Sequence, residues 1–112
     1  MNIYALSTGP GLSGIAIIRV SGPETDKIIK LLTKKELPKP RVATLRKINK
    51  INTSELIDEG IILWFPGPES YTGEDMAEFH IHGSKAVIDA LHHSISKVEN
   101  CRLAEAGEFT KL

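Results

Sequence analysis

Three polar side chains, those of Glu78, His80 and His82, alternate with apolar ones between residues 77 and 82. Successive side chains of a strand point to opposite faces, so this alternation predicts a strand with one carboxylate and two imidazoles on a single face. Such a face can hydrogen-bond a polar ligand, and it also contains ligand types that zinc prefers. A metal site would need a further ligand from elsewhere in the chain. Ordinary hydrogen-bonded histidines are the simpler interpretation.

A second candidate site is the glycine-rich segment at residues 9–14, Gly-Pro-Gly-Leu-Ser-Gly, which matches the pattern G-x-G-x-x-G. In dinucleotide-binding proteins a helix follows these glycines, and its amino terminus meets the pyrophosphate. Here a β-branched run from Ile15 to Val20 follows instead, so the dinucleotide interpretation fails. The glycines would still allow a ligand to approach the backbone closely.

Motifs for catalysis are missing from the sequence. It contains no phosphate loop, no nucleophile elbow and no histidine-activated cysteine pattern. Glu74 and Asp75 could transfer protons, but adjacent residues of a strand point to opposite faces. Thr72 and Asp75 also have the spacing of a helix capping box, which is a structural alternative. No catalytic residue is therefore assigned.

The elements that must position these residues are short strands interspersed with two helices. Apolar, β-branched runs bounded by turn residues predict the strands. The run at residues 15–20 is expected in the centre of the sheet, and residues 3–6 at its edge. Because strands and helices alternate irregularly, we expect an α+β fold with a mixed sheet of about five strands and two or three helices. The other predicted strands are residues 42–48, 60–65 and 77–82, with a short last one at 101–104.

Both predicted helices have recognisable ends and an apolar stripe. The first starts at Pro23 and ends near Lys35, with acidic residues in its first turn and lysines in its last, as the helix dipole favours. Ser84 is the predicted cap of the second, and His92 and His93 are expected beside its stripe. The stripes, at helical spacing, consist of Ile28, Leu31 and Leu32 in the first helix and of Val87, Ile88, Leu91, Ile95 and Val98 in the second.

Length and composition predict one globular domain over residues 1–112. Of the 112 residues, 41% are hydrophobic and 25% are charged, as in ordinary globular domains. No apolar run is long enough to span a membrane, and the first residues lack the order of a signal peptide. The single cysteine, Cys101, excludes an intrachain disulfide and favours a reducing cytoplasm.

The formal net charge of +0 hides an uneven distribution of charge. Residues 34–50 contain seven basic residues and one acidic residue, whereas residues 51–84 contain seven acidic residues and no Lys or Arg. Such blocks can mark nucleic-acid contact or self-association. Two solvated stretches are the simpler interpretation, because no aromatic residue lies among the basic ones to stack on bases.

Four segments, in their order and spacing, resemble the N-terminal domain of the tRNA modification GTPase family MnmE, also called TrmE. The resemblance covers nearly the whole chain, and its Tyr-Thr-Gly-Glu-Asp and Gly-Glu-Phe blocks are highly specific together. The segments are residues 14–23 (GIAIIRVSGP), 65–78 (FPGPESYTGEDMAE), 82–83 (HG) and 106–111 (AGEFTK).

The resemblance implies a module of a longer protein whose helical and GTPase domains are absent from this chain. Family members act with an MnmG-type flavoprotein and modify the wobble uridine of tRNA, using a one-carbon unit from tetrahydrofolate. Their N-terminal domain is similar to the folate-binding domain of the glycine-cleavage T-protein group, forms a homodimer and binds 5-formyltetrahydrofolate or a related tetrahydrofolate. GTP, magnesium and potassium bind in the absent GTPase domain, so this chain is not expected to be catalytic by itself.

Two folate-binding residues are implied by the family motifs: Arg19, in Ile-Ile-Arg-Val-Ser-Gly, and Glu78, which closes Gly-Glu-Asp-x-x-Glu. A carboxylate can accept both N–H groups that a pterin presents side by side, and Arg19 suits the carbonyl or carboxylates of a folate. The Tyr-Thr-Gly-Glu-Asp block is the expected rim of the pocket, and His80 and His82 take supporting or structural roles. An ion pair between Arg19 and Glu78 across the sheet is the structural alternative.

The chain departs from the family pattern at three positions. Leu12 replaces a basic residue, Ser84 stands where a second glycine is common, and Leu112 stands where arginine is usual. A further folate-binding lysine of the family falls beyond Leu112, which predicts weaker folate binding. The alternative function is therefore an assembly-only module, which dimerises but needs downstream residues to bind folate.

Overall fold

The computed structural model describes residues 1–7 and 14–110. Within these ranges the chain forms six strands, two α-helices and a final 3-10 turn. The elements are β1 (Asn2–Leu6), β2 (Ile15–Ser21), α1 (Thr25–Thr33), β3 (Thr44–Asn49), β4 (Leu56–Phe65), β5 (Met76–His82), α2 (Lys85–Ser96), β6 (Cys101–Leu103) and the turn Glu108–Thr110.

All six strands belong to one sheet, in the order β3-β4-β5-β2-β1-β6. Neighbouring strands are antiparallel except for β1 and β6, which are parallel. The predicted α+β fold with a mixed sheet of about five strands is thereby confirmed, and the short last strand predicted at residues 101–104 is present as β6. β2 lies inside the sheet between β1 and β5, as its β-branched run predicts.

The prediction that residues 3–6 form an edge strand is wrong. β6 pairs with the outer side of β1, and the backbone N–H of Asn2 donates to the carbonyl of Asn100 at 2.7 Å. Asn2 is fully buried, and its side-chain amide donates to Glu24 at 3.1 Å. The partner of β1 comes from the opposite end of the chain, so no local pattern in residues 3–6 could predict it.

One face of the sheet is covered by both helices and forms the core. On β5 the side chains of Ala77, Phe79 and Ile81 point to this side, and Phe79 is fully buried. The apolar residues buried by α1 are Ile28, Ile29 and Leu32. Leu31, which was predicted for the apolar stripe, is only partly buried, and Ile29 takes its place in the core. None of the helices in the described ranges is long and apolar enough to cross a bilayer.

The starts of three elements differ from prediction by two to four residues. β4 starts at Leu56, four residues before the predicted start, because residues 56–59 also pair with β3, the strand at the edge of the sheet. β3 itself starts at Thr44, and α1 starts at Thr25, later than predicted. The predicted cap of α2 is confirmed, since Ser84 Oγ accepts the Val87 N–H at 3.2 Å.

Candidate functional site

Arg19 and Glu78 form an ion pair on the face of the sheet that the helices leave open. The two residues are direct partners in the antiparallel register of β2 and β5, so their side chains share that face. Arg19 Nε donates to Glu78 Oε2 at 3.0 Å, and the Glu78 side chain is only 13% exposed. The two predicted site residues thus lie together. Their contact is the ion pair across the sheet that the sequence analysis gives as the alternative to a binding role.

His80 extends this pair to a group of three side chains. Its Nε2 lies 3.0 Å from Glu78 Oε1. An ionised carboxylate only accepts, so the imidazole is the donor in this bond. The bonds from Arg19 and His80 use one acceptor position on each Glu78 oxygen, and a carboxylate offers about four in all. Glu78 can therefore still accept from a ligand with two adjacent N–H groups, which is the donor pattern of a pterin.

The ring of Tyr71 covers the Arg19 guanidinium from the loop between β4 and β5. The guanidinium carbon of Arg19 lies 5.3 Å from the ring centroid, the geometry of a cation–π contact. Tyr71 is nevertheless 59% exposed, so much of its ring remains open to a ligand. The family motif predicts that this block borders the site, but only the structure shows its ring above Arg19.

Hydrogen bonds from Asp75 and Thr72 hold this loop, residues 66–75, in place. Asp75 Oδ1 accepts the Gly67 N–H at 2.8 Å, and the hydroxyls of Thr72 and Ser21 lie 2.7 Å apart. The capping-box interpretation of Thr72 and Asp75 is wrong, because a strand and not a helix follows at Met76. The placement of Glu74 and Asp75 on opposite faces of a strand is also wrong, since both precede β5.

A cavity of about 350 Å³ opens beside Arg19. Its wall includes Arg19, Ser7 and residues 104–109, and its size is at the lower end of small-molecule sites. Arg102 holds the last segment in place, because its Nη1 donates to Glu108 Oε1 at 2.8 Å. The sequence assigns no site role to residues 104–109; the Gly-Glu-Phe block of the family motif is the only signal there.

His82 does not join Arg19 and Glu78. Its Nδ1 lies 2.9 Å from Asp58 Oδ1, and its backbone N–H donates to Asp58 Oδ2 at 2.8 Å. Burial alone would raise the pKa of Asp58, but the hydrogen bonds from His82 outweigh it and hold that pKa below its ordinary value. Nowhere in residues 1–7 and 14–110 do three His, Cys, Asp or Glu side chains come together as they would around a metal ion.

Of the glycine-rich segment at residues 9–14, Gly14 lies within the described ranges. Residues 8–13 lie outside the described ranges, and so does Leu112. The close approach of a ligand to the backbone at residues 9–14, and the effect of Leu12, therefore stay predictions. At the end of the segment, the Gly14 carbonyl accepts the Gly83 N–H at 3.0 Å.

The open face also carries exposed apolar side chains towards β3. Leu45 is 58% exposed and Ile15 is 57% exposed. Both line a second cavity, of about 410 Å³, together with Ile61, Leu63 and His80. Apolar side chains grouped on an uncovered face are typical of an interaction site.

Known proteins of one family are similar to this chain over nearly its whole length. The model of the family described as GTP-binding protein TrmE N-terminus matches residues 2–112. The tRNA modification GTPase MnmE of Pelagibacter ubique is 86% identical over 112 residues, which are 100% of this chain and 25% of that protein.

Mitochondrial proteins are also similar to the chain. The 5-taurinomethyluridine-(tRNA) synthase subunit GTPB3 of Danio rerio is 51% identical over 109 residues, covering 97% of this chain and 22% of that protein. The tRNA modification GTPase gtpbp3 of Dictyostelium discoideum is 50% identical over 115 residues, with the same 97% and 22% covered. The chain thus spans about a quarter of the length of such relatives, and it belongs to the family of the GTP-binding protein TrmE N-terminus.

Proposed function

We propose that this chain is the tetrahydrofolate-binding and homodimerisation module of a GTPase that modifies the wobble uridine of tRNA. Its ligand would be 5-formyltetrahydrofolate or a related tetrahydrofolate. The relatives that carry this domain are named tRNA modification GTPases. Action with an MnmG-type flavoprotein, and the use of GTP, magnesium and potassium by other domains, belong to the same proposal.

The main support for the proposal is the burial and hydrogen bonding of the Glu78 carboxylate. Its carboxylate is largely buried on an otherwise open face, held by Arg19 and His80, and still has acceptor positions for two N–H groups. Arg19 borders a cavity large enough for part of a small molecule. An ion pair needed only for stability would not require a cavity beside it.

Calorimetric titration of the chain with 5-formyltetrahydrofolate tests this proposal. Glu78→Gln keeps the shape of the side chain but replaces one acceptor oxygen by a donor. Because hydrogen bonds to charged groups contribute about 1.5–3 kcal/mol, we expect the affinity to fall roughly 10- to 100-fold. Glu55→Gln is the matched control, because it also removes a carboxylate from an ion pair, with Lys50 at 2.9 Å, on an exposed loop.

The same variants separate a binding role from a structural one. If Glu78→Gln lowers the melting temperature but leaves the folate affinity unchanged, the pair with Arg19 is structural and the site assignment is wrong. Arg19→Ala should weaken binding as well, since arginine suits the carbonyl and carboxylate groups of a folate.

The alternative function is an assembly-only module that needs downstream residues to bind folate. The exposure of Leu45 and Ile15 on the open face favours this reading, because an uncovered apolar patch suits a second copy of the chain. Sedimentation that shows a dimer, combined with a titration that shows no heat at several temperatures, would favour this alternative. The cytoplasmic location expected from the lone cysteine stays a prediction.

A further inference from the structure

One flank of the molecule collects most of its positive charge. Residues 27–50, here called the basic flank, run through most of α1, the connection to β3 and β3 itself. They contain nine of the 14 basic residues of the chain and only one of its 14 acidic residues, Glu36. The basic flank therefore carries a formal charge of +8, which the rest of the chain balances.

The segments of the basic flank lie side by side in the fold. α1 packs against β3, which is the edge strand of the sheet. Lys34 Nζ donates to the Ile51 carbonyl at 3.2 Å, which joins the end of α1 to the turn after β3. The Arg41 N–H donates to the Trp64 carbonyl at 2.8 Å and extends the same edge beyond β3. The cations thus lie along one edge of the molecule, with α1 on the covered side of the sheet and Lys47 on its open side, the side of Leu45.

Most of these cations have no anionic partner among the residues that the structure describes. Three of the nine are ion-paired, namely Lys27 with Glu24 at 3.9 Å, Arg41 with Glu69 at 3.5 Å and Lys50 with Glu55 at 2.9 Å. In the part of the chain that the structure describes, the exposed residues Lys30, Lys35, Lys39 and Lys47 form no ion pair. This surface is therefore open to an external polyanion.

Structural roles explain only part of the charge. A lysine on an edge strand, such as Lys47, prevents unwanted strand pairing. Cations at the end of a helix, such as Lys30 and Lys34, complement the helix dipole. Neither role requires Lys35 or Lys39, which lie between α1 and β3.

The chemistry of the flank favours a nucleic-acid backbone over a lipid surface. α1 buries its apolar residues Ile28, Ile29 and Leu32 in the core, so it lacks the exposed apolar face of a membrane-surface helix. The basic flank contains no Phe, Trp or Tyr that could stack on bases. Contact would therefore be with phosphates, without reading of sequence.

We propose that the basic flank binds the phosphate backbone of tRNA. The identity of the RNA rests on the proposed function, but the surface is separate from the group of Arg19, Glu78 and His80. Each lysine that contacts a phosphate releases a counterion, so binding must weaken steeply as salt rises.

The test is a fluorescence-anisotropy titration of labelled, unmodified tRNA with the 112-residue chain, across KCl concentrations. Lys35→Gln/Lys39→Gln removes two positive charges from the basic flank. We expect on the order of a ten-fold loss of affinity at low salt and a salt slope smaller by about two. Lys85→Glu is the control, because it shifts the net charge by the same two units at an exposed position on α2.

The control should retain the wild-type affinity, and melting curves should show that both variants fold. Equal affinity of the flank variant and Lys85→Glu would overturn the proposal. So would wild-type binding that does not depend on salt, or no saturable tRNA binding at all. A chain that sediments with vesicles containing phosphatidylserine but does not bind tRNA would also overturn the proposal. The basic flank would then be assigned to a membrane surface.

Folate titrations of the same proteins distinguish the two proposals. The flank variant should bind 5-formyltetrahydrofolate like the wild type. If tRNA binds through the basic flank while no folate binds, the assignment of the folate site is wrong and that of the basic flank stands. If folate binds normally but tRNA does not, only the flank assignment fails.

Discussion

At the residue scale, Tyr71 restricts the orientation of the Arg19 side chain in the Arg19–Glu78 pair. Its ring lies 5.3 Å from the Arg19 guanidinium carbon and limits the orientations of that long side chain. If Arg19 binds the proposed folate, this restriction leaves it less conformational entropy to lose on binding. The loop that carries Tyr71 is itself fixed, since Asp75 closes it through the Gly67 N–H at 2.8 Å.

Replacing the Tyr71 ring should therefore weaken folate binding modestly. An exposed cation–π contact is worth about 0.5–1 kcal/mol, so Tyr71→Leu should reduce the affinity roughly two- to five-fold. Tyr71→Phe keeps the ring and should bind nearly as well as the wild type. Calorimetry with 5-formyltetrahydrofolate measures both. Equal affinity of the leucine and phenylalanine variants would show that the ring has no such role.

His92 links the stability of the fold to pH. Its ring lies 5.4 Å from that of Tyr4, and its Nε2 is buried with no hydrogen-bond partner among the residues described. Burial lowers the pKa of His92, an effect that Asp89 partly opposes. The unfolded chain therefore takes up this proton more readily than the folded one. Stability must fall as the pH drops through about 6.5, the ordinary value of histidine.

Urea denaturation at pH 7.5 and pH 5.5 can measure this loss. One proton can change the free energy of unfolding by at most about 1.4 kcal/mol per pH unit, and solvent near this partly exposed ring reduces the effect. His92→Gln should lose less stability between the two pH values than the wild type. His93→Gln, at the exposed neighbouring position, should behave like the wild type. Identical pH dependence in all three proteins would contradict this role of His92.

At the element scale, the alternation of polar and apolar residues was enough to predict β5, and with it the shared face of Glu78 and His80. The cap at Ser84 predicted where α2 begins. The pairing of β6 with β1 could not be predicted, because its two strands come from opposite ends of the chain and β6 has only three residues. The first part of β4 was missed because Asp58 and Glu59 separate Leu56 and Ile57 from the apolar run at residues 60–65.

The contact between β4 and β5 depends on the absence of a side chain at Gly60. A Cβ there would lie 2.2 Å from the His80 carbonyl oxygen, a backbone atom that cannot move without disturbing β5. Overpacking of this kind usually costs about 1–3 kcal/mol, so Gly60→Ala should lower the free energy of unfolding by that amount. Chemical denaturation measures it. Gly14→Ala is the control, since its Cβ would meet none of the described atoms within 4 Å.

A Gly60→Ala protein as stable as the wild type would show that the two strands can separate locally. If the Cβ of Gly60→Ala instead displaces β5 at His80, the 3.0 Å hydrogen bond from His80 to Glu78 is disturbed. The folate affinity of Gly60→Ala should then fall together with its stability. The strand contact and the site would then be coupled through one residue of β5.

At the scale of the whole molecule, both α-helices cover the same side of the sheet, and within residues 1–7 and 14–110 no helical layer covers the other side. The family motifs identified Arg19 and Glu78, and the strand patterns put both in the sheet. Only the fold shows the cavity formed by residues 104–109 beside Arg19, since that segment reaches the site through the β6 pairing. The apolar residues of the open face also come from separate strands, so their grouping depends on strand order rather than on any one segment.

The exposed Leu45 gives the most direct test of whether a second copy covers this face. In a symmetric dimer each substitution occurs twice, and burying a leucine side chain contributes about 1.5–3 kcal/mol. Leu45→Glu should therefore weaken dimerisation by more than 100-fold and shift the protein to monomers in sedimentation velocity. Leu45 is 58% exposed in the single chain, so the monomer should remain folded. Leu103→Glu, a control of 55% exposure on the opposite edge strand, should stay dimeric. A dimer that survives Leu45→Glu but not Leu103→Glu would move the interface to the β6 edge.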